Sequence, residues 1–155
     1  MAIPTGFSAK QLKTWSMRRE GLTLNEIGGK LGVTKQAVSK IIKETESKIL
    51  NTLETTARAA KIEINHTDAS KGILLGFSHE TGDRVVVTFT TRHGPHIWHR
   101  DSRRCIGCSL HDDCMKLILD EAEERDVKLT EEEKANSPAE VAREVFSRVL
   151  PGVEP

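Results

Sequence analysis

Three cysteines and one histidine follow one another at equal steps of three residues, as Cys105, Cys108, His111 and Cys114. Thiolate sulfur and imidazole nitrogen are ligands that tetrahedral zinc prefers, and four of them complete a Cys3His site. His99 is an alternative fourth ligand. Three arginines closely precede Cys105 in the sequence: Arg100, Arg103 and Arg104. Their charge would offset that of a thiolate cluster and lower the thiol pKa values, so the pattern predicts a metal site.

The spacing leaves three chemical states of this segment open. We expect zinc in a structural role; the alternative is an iron–sulfur cluster held by the three thiolates, which are spaced C-x2-C-x5-C. The third state is metal-free thiols, either inert or redox-switching. Zinc would fix the local fold, whereas a cluster or a thiol switch would make this half a redox sensor. A disulfide framework fits an odd number of cysteines poorly.

A small zinc enzyme is a remote alternative, with Asp112 or Asp113 as general acid or base. A catalytic zinc needs an open coordination position and a pocket. A deaminase-type site also needs a His-x-Glu pair, and the sequence has none. We therefore do not expect an enzyme.

The elements that must position this segment are predicted from local patterns. Apolar and β-branched runs at 72–77 and 84–91 predict a β-hairpin. A helix is predicted to begin at Asp112 or Asp113 and to end near Arg125, and a last helix to run from Ser137-Pro138 to Val149. Between the hairpin and these helices, three histidines alternate as on an extended strand: His93, His96 and His99.

The front of the chain predicts three helices. Ser8 and Gln11 have the spacing of a capping box for a helix that ends near Glu20, and Thr23 and Glu26 repeat it for a second helix that ends at Gly32. Thr34 can cap a third helix whose apolar positions recur over about 27 residues, to Ala60. The far half of so long a stripe needs a partner, either the C-terminal module or a second copy of the chain, and we expect dimerisation.

Residues 24–41 match the spacing of a helix-turn-helix, which needs a small residue at the helix crossing, a glycine at the turn and apolar residues at fixed offsets. The matching positions are Leu24, Ile27, Gly28, Leu31, Gly32, Val33, Val38 and Ile41. Donors and cations occupy the outward positions of the following helix: Thr34, Lys35, Gln36, Ser39, Lys40 and Lys43. We expect Gln36 and Ser39 to contact bases, and the lysines, with Arg18 and Arg19, to hold phosphates.

The charge distribution supports a nucleic-acid partner at this end. The formal net charge is +0, but residues 1–60 carry 10 Lys/Arg against 5 Asp/Glu, whereas residues 105–155 carry 6 against 13. A basic front is the footprint of a phosphate-binding surface. No apolar run approaches the roughly 18 residues that a membrane span needs, and the start lacks a basic-then-apolar leader. We expect a cytoplasmic protein that makes no membrane contact.

The stretch from Gly21 to Ile42, continuing into Asn51-Thr52-Leu53-Glu54, resembles the DNA-binding half of the archaeal Tfx-type transcription regulators. It is also similar to region four of bacterial sigma factors. The resemblance covers residues 8–60, and it implies a regulator of double-stranded DNA whose other half has a sensing or interaction role. The pair Gly28-Gly29 departs from the Ala-rich second helix usual in such proteins, and the cysteines lie outside the resemblance.

Taken together, the sequence predicts an α+β protein: a helix-turn-helix with a long third helix, then a small module of a β-hairpin and helices that carries the Cys/His cluster. The expected domains are residues 1–62, for DNA binding and dimerisation, and residues 63–155, for metal binding or sensing, with acidic C-terminal helices. The expected function is sequence-specific DNA binding in transcription regulation. The alternative is an adaptor whose acidic half binds RNA polymerase or another protein of the transcription machinery.

Overall fold

The structure is a computed structural model that describes residues 3–152 and 155. Its helices are α1 (Ala9–Arg19), α2 (Leu24–Leu31), α3 (Lys35–Ala59), α4 (His111–Glu124), α5 (Glu131–Lys134) and α6 (Pro138–Val149). Its strands are β1 (Ile62–Asp68), β2 (Ile73–Ser78), β3 (Asp83–Thr90) and β4 (Gly94–His99), and a 3₁₀ helix spans Ser102–Cys105. The α+β class predicted from the sequence is confirmed. Among the described residues, no helix combines the length and the apolar character needed to cross a membrane.

The N-terminal helices begin where the sequence predicts them to begin. Ser8 and Gln11 form the complete capping box of α1, because each side chain pairs with the other residue's backbone N–H at 3.1 Å. The hydroxyls of Thr23 and Thr34 likewise accept backbone N–H groups at the starts of α2 and α3. Gly32 ends α2 with φ at 69°, a left-handed conformation that glycine adopts without strain. Side-chain capping therefore marks where each of these helices begins.

The sheet is larger than the predicted hairpin. The hairpin is present as β2 and β3, but β1 and β4 extend it to a four-stranded antiparallel sheet in the order β1-β2-β3-β4. Strand β1 was not predicted, whereas β4 matches the extended strand expected from His96 and His99. Both are edge strands: β1 is largely polar and contains a bulge between Ile64 and His66, and β4 begins with Gly94-Pro95. Edge strands tolerate polar residues and proline, so they lack the apolar run by which a buried strand is predicted.

The sheet is buried on both faces, between two layers of helices. One face packs against α1 and α3 through Leu12, Trp15, Ile49, Leu53, Ala57, Ile62, Leu74, Val85, Val87 and Phe89. The other face packs against α4 and α6 through Ile73, Leu75, Val86, Trp98, Ile118, Val141, Val145 and Phe146. Successive side chains of β2 and β3 enter opposite layers, which is why both strands read as continuous apolar runs.

The apolar stripe of α3 is buried within the chain along its whole length. Near its start, Val38 and Ile42 pack with Ile27 in a separate small core. Near its end, Ile49 and Leu53 are completely buried against the sheet. The sheet thus covers the half of the stripe for which we expected a second copy of the chain, and the stripe gives no reason for a homodimer.

Candidate nucleic-acid interface and metal centre

The head, residues 8–48, is held together by the small core between α1, α2 and α3. Ile27 and Val38 are fully buried there. A Cβ atom added to Gly28 would lie 2.7 Å from the carbonyl oxygen of Val33, so only glycine fits where α2 crosses the turn into α3. Gly29, its neighbour, faces open space, and nothing in the structure explains it.

The predicted DNA-contacting residues at the start of α3 lie outside this core, and Gln36, Lys40 and Lys43 are on the side of the helix away from Val38 and Ile42. Five of them are exposed, Thr34, Lys35, Gln36, Lys40 and Lys43, and Ser39 is half-exposed. The nearest carboxylate to Lys40 is that of Glu44, 4.0 Å away, and both side chains are largely exposed, so this pair leaves the ammonium group available. The Thr34 hydroxyl is already used, because it accepts the N–H of Ala37 at 3.1 Å. The first turns of α3 therefore present cations and amide donors on one exposed face.

The two arginines at the end of α1 have different environments. Arg18 is exposed and donates to the carbonyl of Leu22 at 3.0 Å. Arg19, which we predicted to hold a phosphate, is instead buried: its guanidinium lies 3.1 Å from a Glu124 carboxylate oxygen and 4.4 Å from the centre of the Trp15 ring. Its side chain is only 10% exposed, so the structure removes Arg19 from the phosphate-contacting set.

The cysteine segment, residues 102–114, has little regular structure. Cys105 ends the 3₁₀ helix, Cys108 follows a turn in which its N–H donates to the carbonyl of Cys105 at 3.3 Å, and Cys114 lies in the first turn of α4. All three are free thiols and half-buried. Burial raises the pKa of the Cys114 thiol, and the charges of Cys108 and Cys105 raise it further. At Cys114 the arginines therefore do not lower the thiol pKa as the sequence led us to expect.

Neither histidine completes a ready ligand set with these thiols. Nδ1 of His111 lies 3.2 Å from a carboxylate oxygen of Asp112, and the imidazole is 42% exposed. His99 ends β4; its Nδ1 is buried without a hydrogen-bond partner, and burial, followed by the charge of Arg104, lowers its pKa. In residues 3–152 and 155, no three side chains of the His, Cys, Asp and Glu types are placed together so as to hold a metal ion.

Apolar exposure at this segment was not predicted from the sequence. Ile106 is 82% exposed and Leu110 is 57% exposed, although both are large aliphatic residues. Beside them, Cys105, His111 and Met115 line a cleft of about 580 Å³ whose other wall is the connection between α5 and α6. Sequence periodicity cannot signal such exposure, because the loop has no repeating face.

The sequence analysis also missed a buried ion cluster at the end of α4. Glu121 and Arg125 are 3% and 2% exposed, and their charged groups lie 3.4 Å apart. Burial raises the pKa of Glu121, although the charge of Arg125 acts in the opposite direction. Their spacing was a usable signal, since both lie on the apolar face of α4 with Ile118 and Ala122, where a charged residue must be paired.

The histidines of β4 have structural partners. Nε2 of His93 lies 2.9 Å from a carboxylate oxygen of Asp120 on α4. The imidazole of His96 lies 4.2 Å from the Trp98 ring, and burial lowers its pKa, as do the charges of His93 and His99. His93 immediately precedes β4, so its contact with Asp120 attaches the start of that strand to α4, whereas the His96–Trp98 contact lies within the strand.

A comparison with protein-family models, with curated proteins and with solved structures finds no match to this chain.

Proposed function

We propose that this protein is a sequence-specific regulator of transcription that binds double-stranded DNA through the first turns of α3. The observation that carries the proposal is the two-sided character of this helix: Val38 and Ile42 are buried, while Gln36, Lys40 and Lys43 are exposed on the other side. The excess of basic residues in 1–60 and the resemblance of residues 8–60 to Tfx-type regulators support it.

The arrangement suits the major groove. The groove is about 12 Å wide, which admits one α-helix with its side chains. Gln36 and Ser39 are the candidates for base edges, because amide and hydroxyl groups can both donate and accept. The exposed lysines and Arg18 are the candidates for phosphates, and each would release condensed counterions on binding. Thr34 keeps a supporting role, since its hydroxyl caps the helix.

We propose a metal centre in the cysteine segment, with zinc held by Cys105, Cys108, Cys114 and His111. An iron–sulfur cluster on the three thiolates is the alternative. The regular spacing of the four ligands along the chain supports it, as does their place in a segment with little regular structure. Bound zinc would supply local folding energy, because it would tie the chain after β4 to the first turn of α4.

The DNA-binding proposal is tested by selecting bound sequences from random duplexes and then measuring affinity for target and random DNA as salt is varied. Gln36→Ala should reduce the discrimination between the two by about 1 to 3 kcal/mol. Ser39→Ala should do the same, whereas Ser47→Ala, an exposed serine further along α3, should not. Equal losses on both DNAs would reassign Gln36 and Ser39 to phosphates. A protein that binds no duplex at low salt would refute the proposal.

The metal proposal is tested on protein purified without oxygen, by metal analysis and by the visible absorption spectrum. One zinc without colour supports the structural site, whereas iron with sulfide and broad absorption near about 400 nm identifies a cluster. Cys105→Ser and Cys108→Ser should each lose the metal and destabilise the C-terminal half. Unchanged metal content in both variants would refute the site.

A second candidate function is an adaptor that binds the transcription machinery. The specific observation is the acidic balance of residues 105–155, which carry 13 Asp/Glu against 6 Lys/Arg. A basic partner protein such as a polymerase subunit would suit this half. This candidate is favoured if the protein binds RNA polymerase without DNA and if the binding survives Lys40→Ala.

A further inference from the structure

The end of α4 is attached to the head by a buried ion pair. Glu124 lies in the last turn of α4, and its carboxylate oxygen Oε2 is 3.1 Å from Nη2 of Arg19 on α1. The side chains of Glu124 and Arg19 are 7% and 10% exposed. The same carboxylate accepts the N–H and hydroxyl of Thr91 at 3.0 and 2.5 Å, and the N–H of Arg92 at 3.2 Å. Burial acts to raise the pKa of Glu124, but the hydrogen bonds from Thr91 and the charge of Arg19 hold it below its usual value. Glu124 is thus a charged acceptor shared by α1 and the end of β3.

A second line of contacts joins the same two elements. Arg125, next to Glu124, donates to the backbone carbonyls of Lys71 and Gly72 in the turn between β1 and β2. That turn in turn holds Trp15 of α1, whose indole N–H donates to the carbonyl of Ala69 at 3.2 Å. A Cβ atom on Gly72 would lie 3.1 Å from the Trp15 ring, so the turn and α1 are in close contact. The position of α1 therefore depends on where α4 ends.

The other end of the same helix carries the cysteine chemistry. His111 and Cys114 lie in the first turn of α4, and Cys114 is ten residues and about 15 Å of helix before Glu124. Between the two ends, Ile118, Glu121 and Ala122 are at most 3% exposed, which anchors α4 along one buried stripe. A helix packed in this way moves as one body, because its hydrogen-bonded backbone does not bend easily and a packed interface does not deform continuously.

We propose that α4 is the element through which the state of the cysteine segment controls the head, with the Glu124–Arg19 pair as the contact that transmits it. This inference rests on the proposed function, since it names the regulation of that DNA-binding face. A change in the cysteine segment, such as metal binding at Cys114 or modification of its thiol, would fix or displace the start of α4, and the end of α4 then holds α1. Because α1 packs directly on α3, the contact orients the face that carries Gln36 and Lys40.

The first test measures hydrogen exchange of the α1 amides in the full chain, reduced and metal-free, before and after Zn²⁺ is added. Zinc should increase protection of α1 several-fold in the native protein and in Glu123→Gln, a control at a neighbouring glutamate that is 70% exposed. Zinc should leave the protection of the α1 amides unchanged in Glu124→Gln and in Arg19→Met, because each substitution removes one partner of the ion pair. An equal response in all four proteins would overturn the proposal, as would bound zinc without any response of α1 in the native protein.

The second test does not depend on metal. In a chain with Cys105→Ala and Cys108→Ala, Cys114 is the single remaining cysteine, and N-ethylmaleimide adds a bulky group at the start of α4. Alkylation should decrease protection of α1 in this chain and in its Glu123→Gln form, and not when Glu124→Gln is added. A decrease that persists with Glu124→Gln, or no decrease in the parent chain, would overturn the proposal even if the protein binds no zinc.

Measurements of DNA affinity separate the two proposals. If both hold, zinc should change the affinity of the native protein for its target by roughly fivefold or more, and Glu124→Gln should abolish the change. A protein that binds no DNA but still shows the Glu124-dependent response of α1 would refute the proposed function and retain the coupling. A protein that binds DNA with the same zinc response in Glu124→Gln would retain the function and overturn the coupling.

Discussion

The head and the cysteine segment place their reactive side chains in opposite ways. In the head, Lys35 and Gln36 project from a regular helix whose other side is a complete core around Ile27 and Val38. In the cysteine segment the thiols are half-buried, while aliphatic side chains such as Ile106 face solvent. The head is thus preformed by its own packing, whereas the segment makes few contacts that would fix it without a ligand. A bound metal would therefore change stability mainly in the cysteine segment, whereas DNA recognition would use the head.

The largest expected difference between the head and the cysteine segment is in the free energy of unfolding when an isoleucine is replaced by alanine in each. Ile27→Ala removes a fully buried side chain from the small core and should lower the free energy of unfolding by about 3 kcal/mol. Ile106→Ala removes an exposed one and should change it by less than about 0.5 kcal/mol. Urea denaturation of both variants measures the difference. A large loss with Ile106→Ala would mean that the cysteine segment has a core of its own.

Two adjacent glycines test how closely the head is packed. Gly28→Ala places a methyl group against the Val33 carbonyl and should destabilise the protein by about 2 kcal/mol. Gly29→Ala enters open space in a helix and should stabilise it by up to about 1 kcal/mol. Thermal unfolding of the pair distinguishes these signs. Equal effects would show that α2 does not approach the turn as closely as described.

The salt dependence of DNA affinity tests which lysines of the head contact phosphates. Lys40→Ala should lower the slope of log affinity against log salt by about 1 for both target and random DNA. Lys61→Ala, an equally exposed lysine after the end of α3, should leave the slope unchanged. Fluorescence anisotropy over a salt series measures both. A reduced slope with Lys61→Ala would extend the DNA-contacting surface beyond the head.

The smallest expected effect concerns pH, on the strand that leads into the cysteine segment. Burial, with the charges of His93 and His99, lowers the pKa of His96 below its ordinary 6.5. The unfolded chain therefore takes up this proton at higher pH than the folded one, so stability is lost as pH falls from 6.5 towards the folded pKa. His96→Gln should flatten that decline, as measured by denaturation between pH 7 and pH 5. If the loss of stability at low pH is the same in His96→Gln, titratable groups other than His96 cause it.

Sequence patterns predicted the elements that have a periodic apolar face or a capping residue, and they missed features that depend on contacts between distant residues. Capping residues and apolar periodicity located α1, α2, α3, α4 and α6 to within one or two residues, because helix starts use side chains such as Ser8 and Thr34. The edge strand β1 was not predicted, since an edge strand needs no apolar alternation, and β4 was expected only from the spacing of its histidines. Arg19 was predicted to contact DNA because the sequence does not distinguish it from the other cations of the basic N-terminal region. Its partner Glu124 is 105 residues later in the chain, so the ion pair is evident only in the folded structure.

Helix α3 belongs to two cores at once, and this limits how the chain can be divided. A fragment that ends at residue 62 would retain every DNA-contacting candidate but would uncover Trp15, Ile49 and Leu53. Such a fragment would aggregate rather than act as a portable reading unit, because several large apolar side chains would meet water together. Under the proposed function, new DNA targets would therefore be reached more readily by exchanging residues on the exposed face of α3 than by exchanging residues 1–62 as a unit.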